Sequence, residues 1–236
     1  MGVDESINNS QDREELTMDE LPIFPLEVVV FPGMTVPVEI HEQRYRQLIR
    51  LVLAQETEPK RFITVLAGSA APIRDVQDSL ERFGTIVHVL SVEENDDGSV
   101  EVVVHGQERC EVEVTRREDV AEPSGAERPL YFANYQPAPV DRGDPNSEAV
   151  AAWDAIDTFR TYAGTLFKGD AAAEIEMHLP EDPLYQASFL CANIRVPPAT
   201  KQPLLDAPSL TERFELARHL MLERMERKPR ARRGRA

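Results

Sequence analysis

Between Leu21 and Ile49 the chain reads LPIFPLEVVVFPGMTVPVEIHEQRYRQLI, and Pro25, Pro32 and Pro37 punctuate two short apolar runs, Leu26–Phe31 and Met34–Ile40. Proline has no amide hydrogen and cannot sit inside a central ladder, so each must mark a strand end, an edge or a bulge. Pro32-Gly33 reads as a tight turn, in which proline presets φ at about −65° and glycine tolerates a positive φ. The stretch therefore dictates strand, turn, strand, and then a short amphipathic helix from about Glu42.

The β-pattern continues to about Tyr135. Arg61–Leu66 is rich in β-branched and aromatic residues, and Gly84–Glu93 is a second apolar run reached through a loop or short helix at Ile73–Phe83. Asn95-Asp96-Asp97-Gly98 is a hairpin signal, since Asp-Gly supplies the positive φ that favoured hairpin turns require. Val100, Val102 and Val104 alternate with Glu101, Val103 and His105. After Gly106, expected to be a bulge or bend, Cys110, Val112 and Val114 alternate inward against Glu111, Glu113 and Thr115. Pro129–Gln136 completes about six strands, and turn signals at this spacing imply a closed or nearly closed barrel.

Composition shifts at Pro137–Asn146 (PAPVDRGDPN), the expected boundary. Beyond it the period is helical. Ser147 is read as the cap of a helix to about Lys168, with Val150, Trp153, Ile156, Phe159, Ala163 and Leu166 on its inner face. Asp182-Pro183 starts a second helix to about Ile194, and a short helix is expected near Lys201–Leu205. Ser209 and Glu212 form a capping box for a last helix carrying Leu210, Phe214, Ala217, Met221 and Met225. The expected organisation is an acidic, disordered tail (1–19), a barrel (20–136), a linker (137–146), a helical part (147–226) and a basic tail (227–236).

Charge narrows the functional classes. The net charge is −16, yet the last ten residues, RKPRARRGRA, carry six positive charges, so the other 226 residues hold −22. Such an acidic body does not suit a broad phosphate-binding face, which needs Lys and Arg. Nucleic acid enters only as an alternative partner, through the basic tail. No run approaches a membrane span, no signal-peptide pattern opens the chain, and two cysteines make no disulfide framework, so a cytoplasmic protein without a membrane partner is expected.

The ordered set Leu21-Pro22-Ile23-Phe24-Pro25-Leu26, Phe31-Pro32-Gly33-Met34, Pro37, Glu42-Gln43-Arg44-Tyr45, Gly84-Thr85-Ile86, Asp97-Gly98-Ser99-Val100 and Gly106-Gln107-Glu108-Arg109 resembles the N-terminal, substrate-binding domain of the ATP-dependent Lon proteases in a stand-alone form. Leu205 and the Ser209–Met225 helix extend the likeness over about residues 20 to 226. The resemblance implies an α+β fold, a PUA-like six-stranded pseudo-barrel followed by a C-terminal helical bundle. It also implies recognition of unfolded or degron-bearing polypeptides, in partnership with a separate Lon-type or other ATP-dependent protease.

Catalytic signatures are missing from the sequence. There is no GxxxxGK[ST] phosphate loop, so ATP-driven proteolysis by this chain alone is not expected. His41, His88, His105, His178 and His219 are dispersed without HxxxH or CxxC spacing, and Gly68-Ser69 lacks the flanks of a nucleophile elbow. Cys110 and Cys191 read as small core residues. The expectation is a non-enzymatic binding module with no cofactor and no metal. Phe31, Met34 and Val36, from the proline-punctuated turn, are the candidate polypeptide-binding residues, because methionine adapts to varied side chains. An open sheet edge accepting a client strand is the other mode. Glu42, Arg44 and Tyr45 read as a helix start tied to the barrel.

Overall fold

The computed structural model describes residues 20–67, 80–96, 98–166 and 177–226. The two terminal tails, Asp97 of the hairpin, Gly68-Ser69 and most of the Ile73–Phe83 segment lie outside the described residues. The strands are β1 (Leu21–Leu26), β2 (Thr35–Ile40), β3 (Arg61–Leu66), β4 (Phe83–Glu94), β5 (Val100–Ala121) and β6 (Glu127–Pro137). Helix α1 (Gln43–Leu53) lies between β2 and β3, and α2 (Pro145–Leu166), α3 (Pro183–Asn193), α4 (Pro198–Asp206) and α5 (Leu210–Glu226) follow the strands.

The sheet runs β2-β5-β4-β3-β1-β6, and β6 returns to pair with β5. Strands β5, β4, β3, β1 and β6 thus close a ring, and among the described residues β2 pairs with β5 alone. Strand β1 pairs in parallel with β3 and antiparallel with β6. The six-stranded, mixed α+β architecture expected of the chain is what forms. Gly106 bends β5 without ending it. The register slips by one residue between Ile86 and Val87, so the two runs expected on either side form one 22-residue strand. A side chain is not tolerated at Gly106, because a Cβ there would stand 2.5 Å from the Phe31 carbonyl oxygen.

Among the described residues three apolar clusters fill the interior. One fills the barrel beneath α1, around Phe24, Tyr45, Leu48, Phe62, Val102, Val104 and Phe132. A second lies around Ile23, Ile63, Ile86 and Cys110. The third is the helical core, and it takes in Val29, Phe31 and Leu66 from the strand region. Strands and helices therefore share buried surface.

Helix α2 departs from the expected pattern. Its cap is Asp144, whose Oδ2 accepts from Ser147 N at 2.8 Å, and Pro145 occupies the first helical position. Its buried stripe is Ala151, Ala152, Ala155, Phe159, Tyr162 and Ala163, whereas Val150 and Trp153 are 63% and 66% exposed. Alanines admit α5 at close range, and this packing outranks the larger side chains one position away.

Arg109 joins the two regions. It lies in β5, is buried, and its Nη1 donates to the carbonyls of Leu205 (2.9 Å), in the last turn of α4, and Ala207 (2.7 Å), just after it. Its Nε donates to the Ala138 carbonyl at 2.6 Å, and its guanidinium lies 4.8 Å from the Phe83 ring centroid. The Leu205 carbonyl also accepts from Nη2 of the fully buried Arg213 at 3.1 Å. Burial pulls both guanidinium pKa values down, that of Arg213 to about 10. Replacing Arg109 with Met should cost about 3 kcal/mol in urea unfolding, because buried carbonyls lose their donors. Arg109→Lys should recover less than half, because an ammonium cannot reproduce the fork.

Candidate functional site

A groove of about 670 Å³ opens between β1, β2 and the start of α1. Its size falls within the usual range for binding sites. It lies where, among the described residues, the barrel wall has no strand pairing. In the described chain β6 accompanies β1 only as far as Ile23, and β5 is the one described strand beside β2.

The hydrogen bonds fix which backbone groups face the groove. Gly106 N donates to Met34 O at 2.8 Å, and ladder bonds in an antiparallel pair recur at every second residue. Residues 34, 36, 38 and 40 therefore bond toward β5, while Thr35, Pro37 and Glu39 turn their main-chain groups to the free edge. On the other bank Ala67 N donates to Leu26 O at 2.7 Å, so Leu26 faces β3 and Pro25 faces the groove. Each bank thus presents a proline at an outward position. Pro25 and Pro37 offer carbonyls without amide hydrogens, and Thr35 and Glu39 retain both groups.

The floor is apolar. Phe24, Leu26, Ile40 and Tyr45 are buried there, and the Phe24 and Tyr45 rings lie 4.2 Å apart. Burial pushes the Tyr45 hydroxyl pKa up to about 12. The rim carries Glu27, Glu39 and Glu42 against Arg44. Arg44 is committed elsewhere: it bonds the Pro129 carbonyl at 3.0 Å, pairs with Glu42 at 3.0 Å and stacks 4.4 Å from the Tyr45 centroid. Glu27 has no ion-pair partner among the described residues, and Glu39 meets His41 at 3.5 Å. The mouth is acidic.

Helix α1 is held against the groove by a cap supplied from a distance. The Glu42 carboxylate at the N-cap accepts from no first-turn backbone amide. Instead Glu122, at the end of β5, accepts from Gln43 N at 3.0 Å and Arg44 N at 3.3 Å. No local sequence spacing reveals this pairing across 79 residues.

The three candidate residues fall in different places. Val36 lines the groove. Met34 is half-buried, packs against both the barrel and helical cores, and accepts the Phe31 amide on its Sδ at 3.2 Å. Phe31 is fully buried in the helical core and supports the turn from beneath. Glu42, Arg44 and Tyr45, read from sequence as structural, line the groove as well.

His88 and His105 are register partners on β4 and β5, and Thr35 Oγ1 lies 3.1 Å from His105 Nδ1. Among the described residues no group of three or more His, Cys, Asp or Glu is placed to hold a metal ion. Burial, and then the charges of Arg61 and His105, hold the His88 imidazole below its usual pKa.

The family model of the ATP-dependent protease La (LON) substrate-binding domain matches residues 20–223. The chain is similar to Lon proteases of Xanthomonas oryzae (29% identity, covering 84% of this chain and 22% of that protein) and Escherichia coli K12 (26%, 86% and 24%). It therefore spans about a quarter of the length of the curated relatives it matches. Among solved structures, the N-terminal domain of a Mycobacterium avium complex Lon protease superposes with a TM-score of 0.63 at 19% identity, covering 87% of this chain and 99% of that one. A Lon N-terminal domain protein from Xanthomonas campestris gives 0.53 at 19%, covering 84% and 95%. At these identities the structural likeness establishes the fold.

Two outcomes follow from the local chemistry. Glu122→Ala should lower stability by about 1 kcal/mol and speed amide exchange in the first turn of α1, as loss of a helix cap does. Because the folded chain resists protonation of His88, the unfolded chain binds more protons just below the ordinary imidazole pKa. Stability should therefore fall as pH drops from about 6.5 toward the lower folded value, and His88→Gln should flatten that part of the Tm–pH curve.

Proposed function

The chain belongs to the substrate-binding domain family of the ATP-dependent protease La (Lon), and from that membership we propose that it recognises unfolded or degron-bearing polypeptides through the β1–β2–α1 groove. In this reading Val36 forms part of the contact surface, Met34 backs it by packing against both cores, and Phe31 holds their turn in place. The observation that carries it is a single one: an apolar floor bounded by β1 beyond Ile23 and by β2, two edges without a strand partner among the described residues. A folded protein buries the apolar side chains and free backbone groups that such a surface takes up, whereas an unfolded segment exposes both. The chain acts here as a recognition module in protein quality control, delivering clients to a Lon-type or other ATP-dependent protease.

The test compares one reporter protein in its folded form and after chemical unfolding and thiol blocking. The full chain should bind the unfolded form alone, and Val36→Asp should weaken that binding about tenfold, in keeping with a charge placed on an apolar contact. Equal binding of both forms, or of neither, would overturn the reading. Addition of the chain should also raise the rate at which a Lon-type protease from the same cell degrades the reporter.

A further inference from the structure

Resting on the polypeptide-recognition reading above, we infer that the groove binds its client as an added β-strand, antiparallel to β2, and selects segments in which apolar residues alternate with basic ones. The main chain of β2 carries the first half of this inference. Its odd positions turn three carbonyls (Thr35, Pro37, Glu39) and two amides (Thr35, Glu39) outward, spaced as an antiparallel ladder requires. Pro37 removes one donor from the middle of that edge and leaves its acceptor. Client N–H groups can therefore donate at all three positions, and client carbonyls can accept at two.

The side chains carry the second half. In an antiparallel addition the client residues opposite Val36 and Val38 share the inner face with them, over the floor built by Phe24, Leu26 and Tyr45. Those opposite Thr35, Pro37 and Glu39 share the outer face, where Glu39 is exposed and Glu27 stands on the facing bank. Apolar side chains fit the inner positions. Lys or Arg fits the outer ones, because among the described residues Arg44 and Arg128 are taken up by Glu42 while Glu27 and Glu39 have no arginine or lysine partner.

The ligand-side experiment leaves the protein unchanged. Full-length chain is titrated with a capped Lys-Val-Lys-Val-Lys peptide, with a version whose lysine amides are replaced by backbone esters, and with one whose valine amides are. An ester removes the N–H donor without adding bulk. The parent peptide should bind, the lysine esters should weaken it about tenfold or more through three lost hydrogen bonds, and the valine esters should bind much as the parent does. Glu39→Lys should reverse the preference toward a Glu-Val-Glu-Val-Glu peptide. Equal affinity for all three peptides, or a loss confined to the valine esters, would overturn antiparallel addition to β2. So would failure of every peptide while the unfolded reporter still binds, and in these cases the recognition reading stands. Failure of peptides and unfolded reporter together would remove both.

Discussion

A cation sunk between strand and helix sets the architecture. Arg109 projects from β5, the strand that touches β2, β4 and β6, and donates to carbonyls that belong to the crossing segment and to the end of α4. Those carbonyls terminate helical or irregular backbone, so no ladder satisfies them, and burying them without donors is costly. Arg109 supplies the donors in one planar group. The segment after β6 is fixed in a second place, where Asp141 N donates to Pro208 O at 3.1 Å and Leu210 N to Asp141 O at 2.7 Å. The Pro-rich stretch that changes the composition of the chain is thereby tied to both regions it connects.

The turn at Pro32-Gly33 is the other junction. Gly33 has φ 87°, and a Cβ there would lie 2.6 Å from Tyr185 Cδ1 on α3. Its amide donates to the Gly106 carbonyl at 2.8 Å, where β5 bends. Positive φ and close approach both call for glycine, from opposite sides of the same residue. Phe31 before the turn enters the helical core, Met34 after it touches both cores, and Val36 beyond it reaches the groove. Six residues of sequence thus connect the interior of the helical region to the candidate binding surface.

Much of this was legible in the chain itself. Arg61–Leu66 coincides with β3, and Pro32-Gly33 and the Asp182 and Ser209 caps stand where the residue types call for them. Local chemistry decides those features, and local sequence records it. The inner face of α2 was not legible, because Val150 and Trp153 satisfy the helical period as well as the alanines do, and only the approach of α5 separates them. The same holds for buried Arg109 and Arg213, whose partners are backbone carbonyls without a sequence signature. Of the candidate site, the turn was visible and Val36 with it. The far cap Glu122 and the facing bank at Pro25 depend on strand order, which no spacing along the chain encodes.

Pro37 has a consequence for the company this protein keeps with itself. A strand with an open edge tends to find its own copy first, since identical edges in antiparallel array share a two-fold axis. If that axis passed through Pro37, Thr35 of each copy would face Glu39 of the other, and at the centre carbonyl would face carbonyl with no hydrogen between them. The most symmetric homodimer is therefore the one the edge disfavours. A heterologous strand with ordinary amides meets no such conflict, so one missing hydrogen keeps the edge open to strangers and poorly matched to its twin.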